Sequence, residues 1–355
     1  MPETLLNHDD SARLQEQVQI ALANGTPLSI QGGNSKAFLG RPVDAPELDT
    51  RKHTGVVQYD PTELVITVRA GTPLHQLNAT LAAQGQHLPP EAPDFNGRAT
   101  VGGMVASALA GPRRPWVGSV RDYVLGCRVI NGKGQHLRFG GQVMKNVAGY
   151  DVSRLMAGSL GCLGLITEVS LKVLPLPRAS HSLALELDAE SALNLLTRCR
   201  RDDLPVRGAF YHDRYLYIRL EGGDATVAAA RSRLGGDETP PDLWQQLREQ
   251  RLGFFDSKLP LWRVSVPWQT PLTPLPGSTL IDWAGAQRWL LSNAPAHQIR
   301  TIAASMGGHA TCHTPGVDDS PFQPLPTVLM RIHQRLKAQT DPGNVFNPGR
   351  MYAQL

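Results

Sequence analysis

Thr100–Asp122, which reads TVGGMVASALAGPRRPWVGSVRD, is the stretch that decides the fold. Glycine has no Cβ, so the backbone at Gly102 and Gly103 can lie directly against a ligand. If these glycines begin a helix, the unpaired N–H groups and the dipole at its N-terminus form a site suited to a phosphate. The same residues fit a tightly packed helix followed by a loop equally well. The interpretation therefore depends on whether other segments complete a nucleotide site.

A second glycine loop lies closer to the N-terminus. The sequence from Pro27 to Ile30 predicts a strand, which runs directly into QGGNS at 31–35. A strand followed by two glycines and small polar residues can turn several backbone N–H groups towards one anion. A plain tight turn is the alternative. This loop therefore supports a nucleotide site only in combination with the Thr100–Asp122 stretch.

Length and composition narrow the class of function. The 355 residues are enough for two domains, and 41% hydrophobic with 19% charged residues describe an ordinary globular protein. A net charge of +4 is too small to indicate a nucleic-acid-binding surface, and no apolar run is long enough to span a bilayer. Glu3, Asp9 and Asp10 lie where a secretory signal needs positive charge and an apolar core, so we expect a cytosolic protein.

The four cysteines, at positions 127, 162, 199 and 312, are scattered without a C-x-x-C spacing. This arrangement argues against an iron–sulfur cluster or a zinc site held by this chain alone. Because disulfides are rare in the cytosol, we expect buried free thiols.

The hydrophobic pattern predicts an α+β protein rather than a regular βαβ one. In the first half, short helices such as that over Ser11–Asn24 are mixed with many strands and glycine turns. No G-x-G-x-x-G follows a first strand, which disfavours a Rossmann domain. Pro175-Leu176-Pro177 marks a domain boundary. Beyond it, the order β-α-β-β-α over residues 183–234 indicates a ferredoxin-like domain, whereas 235–325 give no clear pattern and 326–338 predict a last helix.

Taken together, these segments resemble the FAD-binding proteins of the vanillyl-alcohol oxidase / p-cresol methylhydroxylase group, and within it the FAD-binding subunits of bacterial glycolate oxidases. On this resemblance, 1–175 is a two-subdomain FAD-binding domain, 176–325 is a smaller cap that holds substrate, and 326–355 returns to the FAD domain. The motifs that carry it are QGGNSKAFLGRP at 31–42, YDPTELVITVRAGTP at 59–73, AGPRRPWVGSVRD at 110–122, RFGGQVMKNVAGYD at 138–151, GSLGCLGLITE at 158–168 and FNPGRMYA at 346–353.

The resemblance implies FAD as the cofactor. FAD carries a diphosphate and a large apolar ring, so its site needs backbone donors, close approach and a few polar anchors. Some members attach FAD through a histidine near the first glycine loop, but no histidine lies between Asp10 and His53, so we expect non-covalent FAD. An arginine near the ring could stabilise its reduced, anionic form, although a surface arginine is the alternative. The residues implied to contact FAD are Gly32, Gly33, Asn34, Ser35, Gly102, Gly103, Gly118, Ser119, Asp122, Ile166 and Arg350.

The cap departs from the pattern of the catalytic 2-hydroxy-acid dehydrogenases in this group. These carry a metal-binding GHxGDGNxH stretch and a later Glu-His pair, whereas this chain has only GGHATCH at 307–313, so we expect no metal site. WQQLRE at 244–249 and WRVSVP at 262–267 resemble cap segments whose arginines bind a carboxylate in bidentate fashion. The resemblance thus implies catalytic or substrate-binding roles for Arg248, Arg263 and His309, with ordinary surface ion pairs as the alternative for the two arginines.

The implied reaction is oxidation of glycolate, or of other small 2-hydroxy acids, to glyoxylate by hydride transfer to FAD. Electrons would pass to an iron–sulfur subunit, and a second flavin subunit belongs to such complexes. The alternative is a non-catalytic FAD subunit that relays electrons or supports assembly. A NADPH-dependent reductase has no support beyond a shared fold. The expected location is the cytoplasm, or the inner membrane through partner subunits, with no nucleic acid involved.

Overall fold

The structure, a computed structural model, describes residues 7–141, 151–240, 242–318 and 320–355. Residues 142–150 of the RFGGQVMKNVAGYD motif therefore lie outside the described residues. The helices are α1 Ser11–Asn24, α2 Leu74–Ala82, α3 Val101–Ser107, α4 Arg114–Val117, α5 Val120–Tyr123, α6 Val152–Leu155, α7 Ala189–Arg201, α8 Asp224–Leu234, α9 Leu243–Arg248, α10 Ala296–Ser305 and α11 Thr327–Thr340.

The strands begin with β1, which runs into the first glycine loop. They are β1 Ser29–Gln31, β2 Glu47–Asp49, β3 Val56–Asp60, β4 Val65–Arg69, β5 Gln86–His87, β6 Val124–Ile130, β7 His136–Gly140, β8 Leu165–Lys172, β9 Leu174–Pro175, β10 Ala179–Glu186, β11 Val206–His212, β12 Tyr215–Gly222, β13 Asp237–Glu238, β14 Leu261–Ser265, β15 Ser278–Asp282, β16 Gln287–Leu291 and β17 His309–Cys312.

The chain forms two compact units. One takes the chain up to Leu109 together with Ser119–Leu176 and Pro324–Leu355, and the other takes Ala110–Gly118 and Pro177–Gln323. The sequence analysis places 110–118 in the first domain, whereas the structure groups this short segment with the second unit. The reason is local packing, since Trp283 Nε1 donates to the carbonyl of Gly111 over 3.0 Å. The role of the second unit as a cap stays a prediction.

The first unit is built on an antiparallel sheet in the order β3-β4-β8-β6-β7. Its central strand β8 is buried at every position except Lys172, because helices such as α3 cover the sheet. Side chains such as Met104 and Val169 fill this core, and burial of each large apolar side chain stabilises the unit by roughly 1.5–3 kcal/mol. A smaller core around Phe346 joins α1 to the C-terminal segment.

Local signals at the ends of helices are confirmed in part. Gly25 ends α1 in the left-handed conformation, with φ 61°, as a terminal glycine predicts. Thr72 followed by Pro73 predicts a helix with Thr72 as its N-cap, but this prediction is wrong, because α2 begins one residue later, after Pro73. The Thr72 hydroxyl instead accepts a hydrogen bond from the N–H of Gly55 over 2.8 Å.

The second unit contains an antiparallel sheet in the order β13-β10-β12-β11-β15-β16-β14-β17. Its first four strands and the helices α7 and α8 have the ferredoxin-like order that the sequence predicts. The other four strands come from residues 235–325, whose hydrophobic pattern does not predict them. The predicted α+β class is confirmed for both units.

Candidate functional site

The first unit contains an open cleft of about 130 Å³, beside the end of β1 and the start of α3. No acidic side chain occurs among its lining residues in the described part of the chain, while Lys36 and Arg350 supply positive charge. The residues implied by the sequence that line this cleft are Gly32, Gly33, Asn34, Ser35, Gly102, Gly103, Ile166 and Arg350.

The loop that follows β1 offers a row of backbone donors to this cleft. Within the described residues, the N–H groups of 32–35 form no hydrogen bond, although those residues line the cleft. Asn34 has φ 52°, a left-handed conformation that lets consecutive N–H groups converge on one point. Because unpaired backbone donors are costly when water is excluded, such a row indicates an anion-binding site.

Close packing explains why glycine is needed in this loop. A Cβ at Gly32 would lie 2.4 Å from Oγ1 of Thr100, and one at Gly33 only 1.4 Å from the carbonyl oxygen of Arg98. Each distance is far below van der Waals contact, so only glycine fits. The loop is thereby pressed against the segment that enters α3, which holds its free N–H groups in place.

The start of α3 does not act as the anion site that the sequence analysis considers. The N–H of Val101 donates to Thr72, and the N–H of Gly102 donates to the carbonyl of Ala70 over 2.7 Å. The N–H of Gly103 donates to the hydroxyl of Thr100 over 3.2 Å. The donors at this helix end are therefore occupied. Gly102 and Gly103 contribute a small, close wall to the cleft instead.

Three further residues implied to contact FAD are not among those that line the cleft. Ser119 and Asp122 form a capping box, in which the Asp122 carboxylate accepts from the N–H of Ser119 over 2.8 Å and from its hydroxyl over 2.9 Å. Gly118 ends α4 with φ 97° and belongs to the second unit. The polar groups of Ser119 and Asp122 therefore stabilise the start of α5.

Asn347 is a cleft residue that the sequence reasoning missed. Its buried side chain accepts from the N–H of Ile30 over 2.7 Å and donates to the carbonyl of Leu160 over 2.7 Å. It thus joins the C-terminal segment to both β1 and the turn before β8. The FNPGR motif contained the signal, since the amide of Asn carries both donors and an acceptor and can therefore bind two backbone groups at once.

Lys36 and Arg350 are the cations of the cleft. Lys36 is buried, its Nζ lies 3.2 Å from the Ser35 hydroxyl, and its position directly after the glycine loop was a signal that the sequence reasoning did not use. Arg350 is half-buried, and one of its nitrogens donates to the carbonyl of Leu39 over 3.2 Å. Burial lowers the pKa of Arg350 from its ordinary value, but a guanidinium remains charged at neutral pH.

In the second unit, β14 and β17 bring basic side chains together. Arg263 pairs with Thr311 across the two strands, and side chains alternate between the faces of a sheet. His309 and His313, two positions before and after Thr311, therefore share the face of Arg263. Burial, and then the charge of Arg114, lowers the pKa of Arg263 to about 10. Such a pKa leaves Arg263 positively charged at neutral pH.

His309 and His313 are neutral at neutral pH, because burial and a nearby positive charge disfavour their protonated forms. Burial first, and then the charge of Arg263, lowers the pKa of His309 and brings that of His313 well below its ordinary value. The two histidines lie four residues apart on extended backbone, a span of about 13 Å at roughly 3.3 Å per residue. This separation of the two Cα atoms disfavours one metal ion bound by both rings, because its ligand atoms must lie about 2 Å from it. No cluster of three metal-ligating side chains occurs among the residues that the structure describes.

Arg248 has a different environment from Arg263. It is the last residue of α9, and its Nε lies 2.8 Å from the carboxylate of the buried Glu249. That pairing corresponds to the ordinary ion pair weighed for Arg248 in the sequence analysis. Arg263 and His309 are therefore the predicted catalytic residues that the strand register brings together.

A glycine loop with free N–H groups, a basic cleft and a mixed α+β core define a nucleotide-binding protein, and comparison with known proteins identifies the nucleotide. The family described as FAD binding domain matches residues 2–140. The glycolate oxidase subunit GlcE of Escherichia coli (strain K12) is 58% identical over 98% of this chain and 99% of its own length. The chain belongs to this family of FAD-binding proteins, of the p-cresol methylhydroxylase type, which confirms the predicted resemblance and the predicted cofactor.

More distant relatives and solved structures are consistent with the same fold. The D-lactate dehydrogenase of Archaeoglobus fulgidus is 25% identical over 98% of this chain and 90% of its own length. The glycolate oxidase subunit GlcD of Bacillus subtilis (strain 168) is 29% identical over 52% of this chain and 39% of its own length. A structure of alkyldihydroxyacetonephosphate synthase has a TM-score of 0.69 at 17% identity and covers 96% of this chain and 76% of the synthase chain, which shows the fold alone.

Proposed function

We propose that this chain is the FAD-carrying subunit of a glycolate oxidase, acting on glycolate or a similar small 2-hydroxy acid. The observation that supports it most strongly is the row of free N–H groups at 32–35, in a basic cleft of a chain that is 58% identical to a glycolate oxidase subunit. A diphosphate is the part of FAD that such donors fit.

Different cleft residues bind different parts of FAD. The N–H groups of 32–35 and the ammonium of Lys36 hold the diphosphate, while Gly102 and Gly103 admit the cofactor close to the backbone. The backbone of Ile166 in β8 forms part of the opposite wall, and Arg350 provides a fixed positive charge for an anionic part of the cofactor. No histidine lines the cleft in the described residues, so the FAD is held without a covalent bond.

The substrate carboxylate is bound by Arg263, which presents two parallel N–H donors. His309 and His313 flank Arg263 as neutral imidazoles, and a neutral imidazole can accept the hydroxyl proton of a 2-hydroxy acid. FAD, held by the cleft residues, would supply the acceptor for the hydride of the α-carbon. Arg248, already paired with Glu249, has no part in this assignment.

Electrons leave through another chain. The four cysteines lie separately in the sequence and are all buried, and no metal-binding cluster occurs in the described parts of the chain. An iron–sulfur partner subunit therefore holds the next redox centre, and a second flavin subunit completes the complex. Among the described residues, no helix is long and apolar enough to cross a bilayer, and the cytoplasm or the inner membrane, through partner subunits, is the proposed location.

A second candidate is an FAD subunit that relays electrons or supports assembly without oxidising substrate. The sequence of the second unit favours it, because GGHATCH at 307–313 lacks the Asp-Gly-Asn core of the metal-binding motif in the catalytic relatives, and no Glu-His pair follows it.

Anaerobic mixing with glycolate tests the proposal and separates the two candidates. If the isolated, flavin-loaded chain loses its visible flavin absorbance on addition of glycolate, it oxidises the substrate itself. Loss of absorbance only when the partner subunits are present assigns the oxidation to the complex and supports the relay role. No loss in the complete complex contradicts both candidates. Acetate, which lacks the 2-hydroxyl group, is the control and leaves the absorbance unchanged.

A further inference from the structure

The C-terminal helix α11 has an unusual distribution of apolar side chains. Val328, Leu329 and Ile332 are 67%, 44% and 46% exposed, while the buried residue of the helix is Lys337. A helix on the surface of a protein normally turns its apolar side chains towards the core. In α11 these side chains form a stripe at the surface.

Polar contacts, rather than the apolar stripe, hold α11 in place. The ammonium of Lys337 donates to the carbonyls of Cys162 over 2.9 Å and Phe346 over 2.7 Å, and it pairs with the carboxylate of Asp341 over 2.6 Å. The carboxylate of Asp341 also accepts from the N–H groups of 345 and 346. Because this buried network fixes the helix, the apolar stripe is available to another molecule.

A hollow of about 160 Å³ lies beside α11 in the same unit, next along the helix from the stripe. Leu336 and His333 of α11 form one side of it, and its apolar lining includes Leu163, Met351 and Leu355. An apolar cavity of about 150 Å³ is large enough for a benzene ring. The hollow therefore suits a single aromatic or aliphatic side chain, the kind of anchor on which protein–protein interfaces depend.

The charged side chains of α11 and of the residues that line the hollow are basic. Arg331 and Arg335 are exposed on α11, whose sequence contains no Asp or Glu, and Arg121 lies at the hollow. No acidic side chain occurs among the described residues that line the hollow. Charge complementarity therefore selects a partner with carboxylates around an apolar anchor. Two copies of this surface would bring arginines together, which disfavours self-association.

We propose that the α11 surface, meaning Val328, Leu329, Ile332 and the adjoining hollow, docks another protein subunit whose apolar anchor is flanked by carboxylates. The inference rests on the proposed function, because it takes the chain to be part of a multi-subunit oxidase. A protein fits better than a lipid surface, since the hollow accepts one defined side chain and the apolar stripe extends over only three exposed residues.

The test is co-expression of the tagged full chain with the second flavin subunit and the iron–sulfur subunit, followed by measurement of the subunits retained. Ile332→Glu places a carboxylate in the stripe, and Arg335→Glu reverses a charge beside it. Gln334→Glu is the matched control, because a residue two positions from 332 points about 160° away on a helix of 3.6 residues per turn. All three positions are exposed, so the fold tolerates the substitutions.

We expect Ile332→Glu and Arg335→Glu to reduce the retained subunits about tenfold or more, since an unpaired carboxylate in an apolar contact is strongly unfavourable. Gln334→Glu should retain them as the unaltered chain does. Full retention in Ile332→Glu, or failure of the unaltered chain to retain any subunit, would overturn the proposal. The proposal would also be overturned if the unaltered chain bound phosphatidylglycerol vesicles, or self-associated in analytical ultracentrifugation, and Ile332→Glu abolished that binding or self-association.

Two further measurements separate this proposal from the proposed function. Bound FAD per chain should be the same in all variants, because α11 contributes no residue that lines the FAD cleft. If the unaltered complex assembles but does not oxidise glycolate, the proposed function is contradicted, whereas the docking proposal is not. A complex that oxidises glycolate and survives Ile332→Glu contradicts the docking surface alone.

Discussion

The side chain of Asn347 accepts a hydrogen bond from the N–H of Ile30 over 2.7 Å, across 317 positions of sequence. The same amide donates to the carbonyl of Leu160, so one buried side chain joins three separate segments that line the cleft. The position of the glycine loop therefore depends on the C-terminal segment as well as on its own residues.

Asn347→Ala tests this dependence. The substitution leaves a backbone donor and a backbone acceptor without partners, and we expect the free energy of unfolding to fall by about 2–4 kcal/mol, with weaker retention of FAD. Urea denaturation measures the free energy of unfolding, and flavin titration measures the affinity for FAD. Asn344→Ala is the control, since Asn344 has a similar left-handed φ of 49° but an exposed side chain. Equal effects in the two variants would mean that backbone strain, and not the amide contacts, is responsible.

Gly33→Ala tests the glycine loop itself. The added Cβ would lie 1.4 Å from the carbonyl of Arg98, so the loop must move and its N–H groups lose their arrangement. We expect the affinity for FAD to fall about a hundredfold, corresponding to roughly 2.7 kcal/mol. Gly223→Ala, with open space at the new Cβ, should bind FAD as the unaltered chain does. Unchanged affinity in Gly33→Ala would exclude the loop from the site.

Arg263→Ala tests the substrate assignment. Loss of a charge-assisted bidentate contact should raise the half-saturating concentration of glycolate about 10- to 100-fold, while bound FAD per chain stays the same. Steady-state kinetics of the complete complex, together with the flavin spectrum, measure both effects. Arg248→Ala is the comparison, because Arg248 pairs with Glu249 and should leave the glycolate dependence within about twofold. A normal glycolate dependence in Arg263→Ala would favour the electron-relay role.

The buried His53 predicts a dependence of stability on pH. Its Nδ1 accepts from the N–H of Asp10 over 3.0 Å, and burial lowers its pKa to about 4 from the ordinary 6.5. Between these values the unfolded chain binds the proton more readily, so stability falls as the pH decreases. The slope is at most about 1.4 kcal/mol per pH unit.

Urea denaturation between pH 4 and pH 7 should show a flatter profile for His53→Gln, whose amide oxygen can still accept from Asp10. The control His75→Gln alters an exposed histidine and should keep the slope of the unaltered chain. If His53→Gln retains the full slope, another group is responsible for the pH dependence.

Much of the candidate cleft was predictable because its signals are local. QGGNS after a strand, and glycines at 102 and 103, occur within short stretches whose backbone requirements are visible in the sequence. Asn347 was not predictable in the same way, since its partners lie in distant segments. The donors of Gly102 and Gly103 are occupied by Ala70 and Thr100, which only the tertiary structure shows.

The second unit was harder to predict for physical reasons. Pro and Trp residues interrupt the alternation of polar and apolar positions over 235–325, so β14 to β17 left no clear period in the sequence. The register that aligns Arg263 with Thr311 arises from pairing between strands that are more than forty residues apart. The sequence pattern predicted the helix α11, but it did not show that the apolar side chains of this helix are exposed.

The most direct test of the central claim compares the binding of riboflavin, FMN and FAD to the flavin-free chain by fluorescence titration. If the N–H groups of 32–35 hold a diphosphate, affinity rises from riboflavin through FMN to FAD, by at least about a hundredfold overall. Equal affinities for the three flavins would mean that the glycine loop does not contact the diphosphate, and would contradict the account.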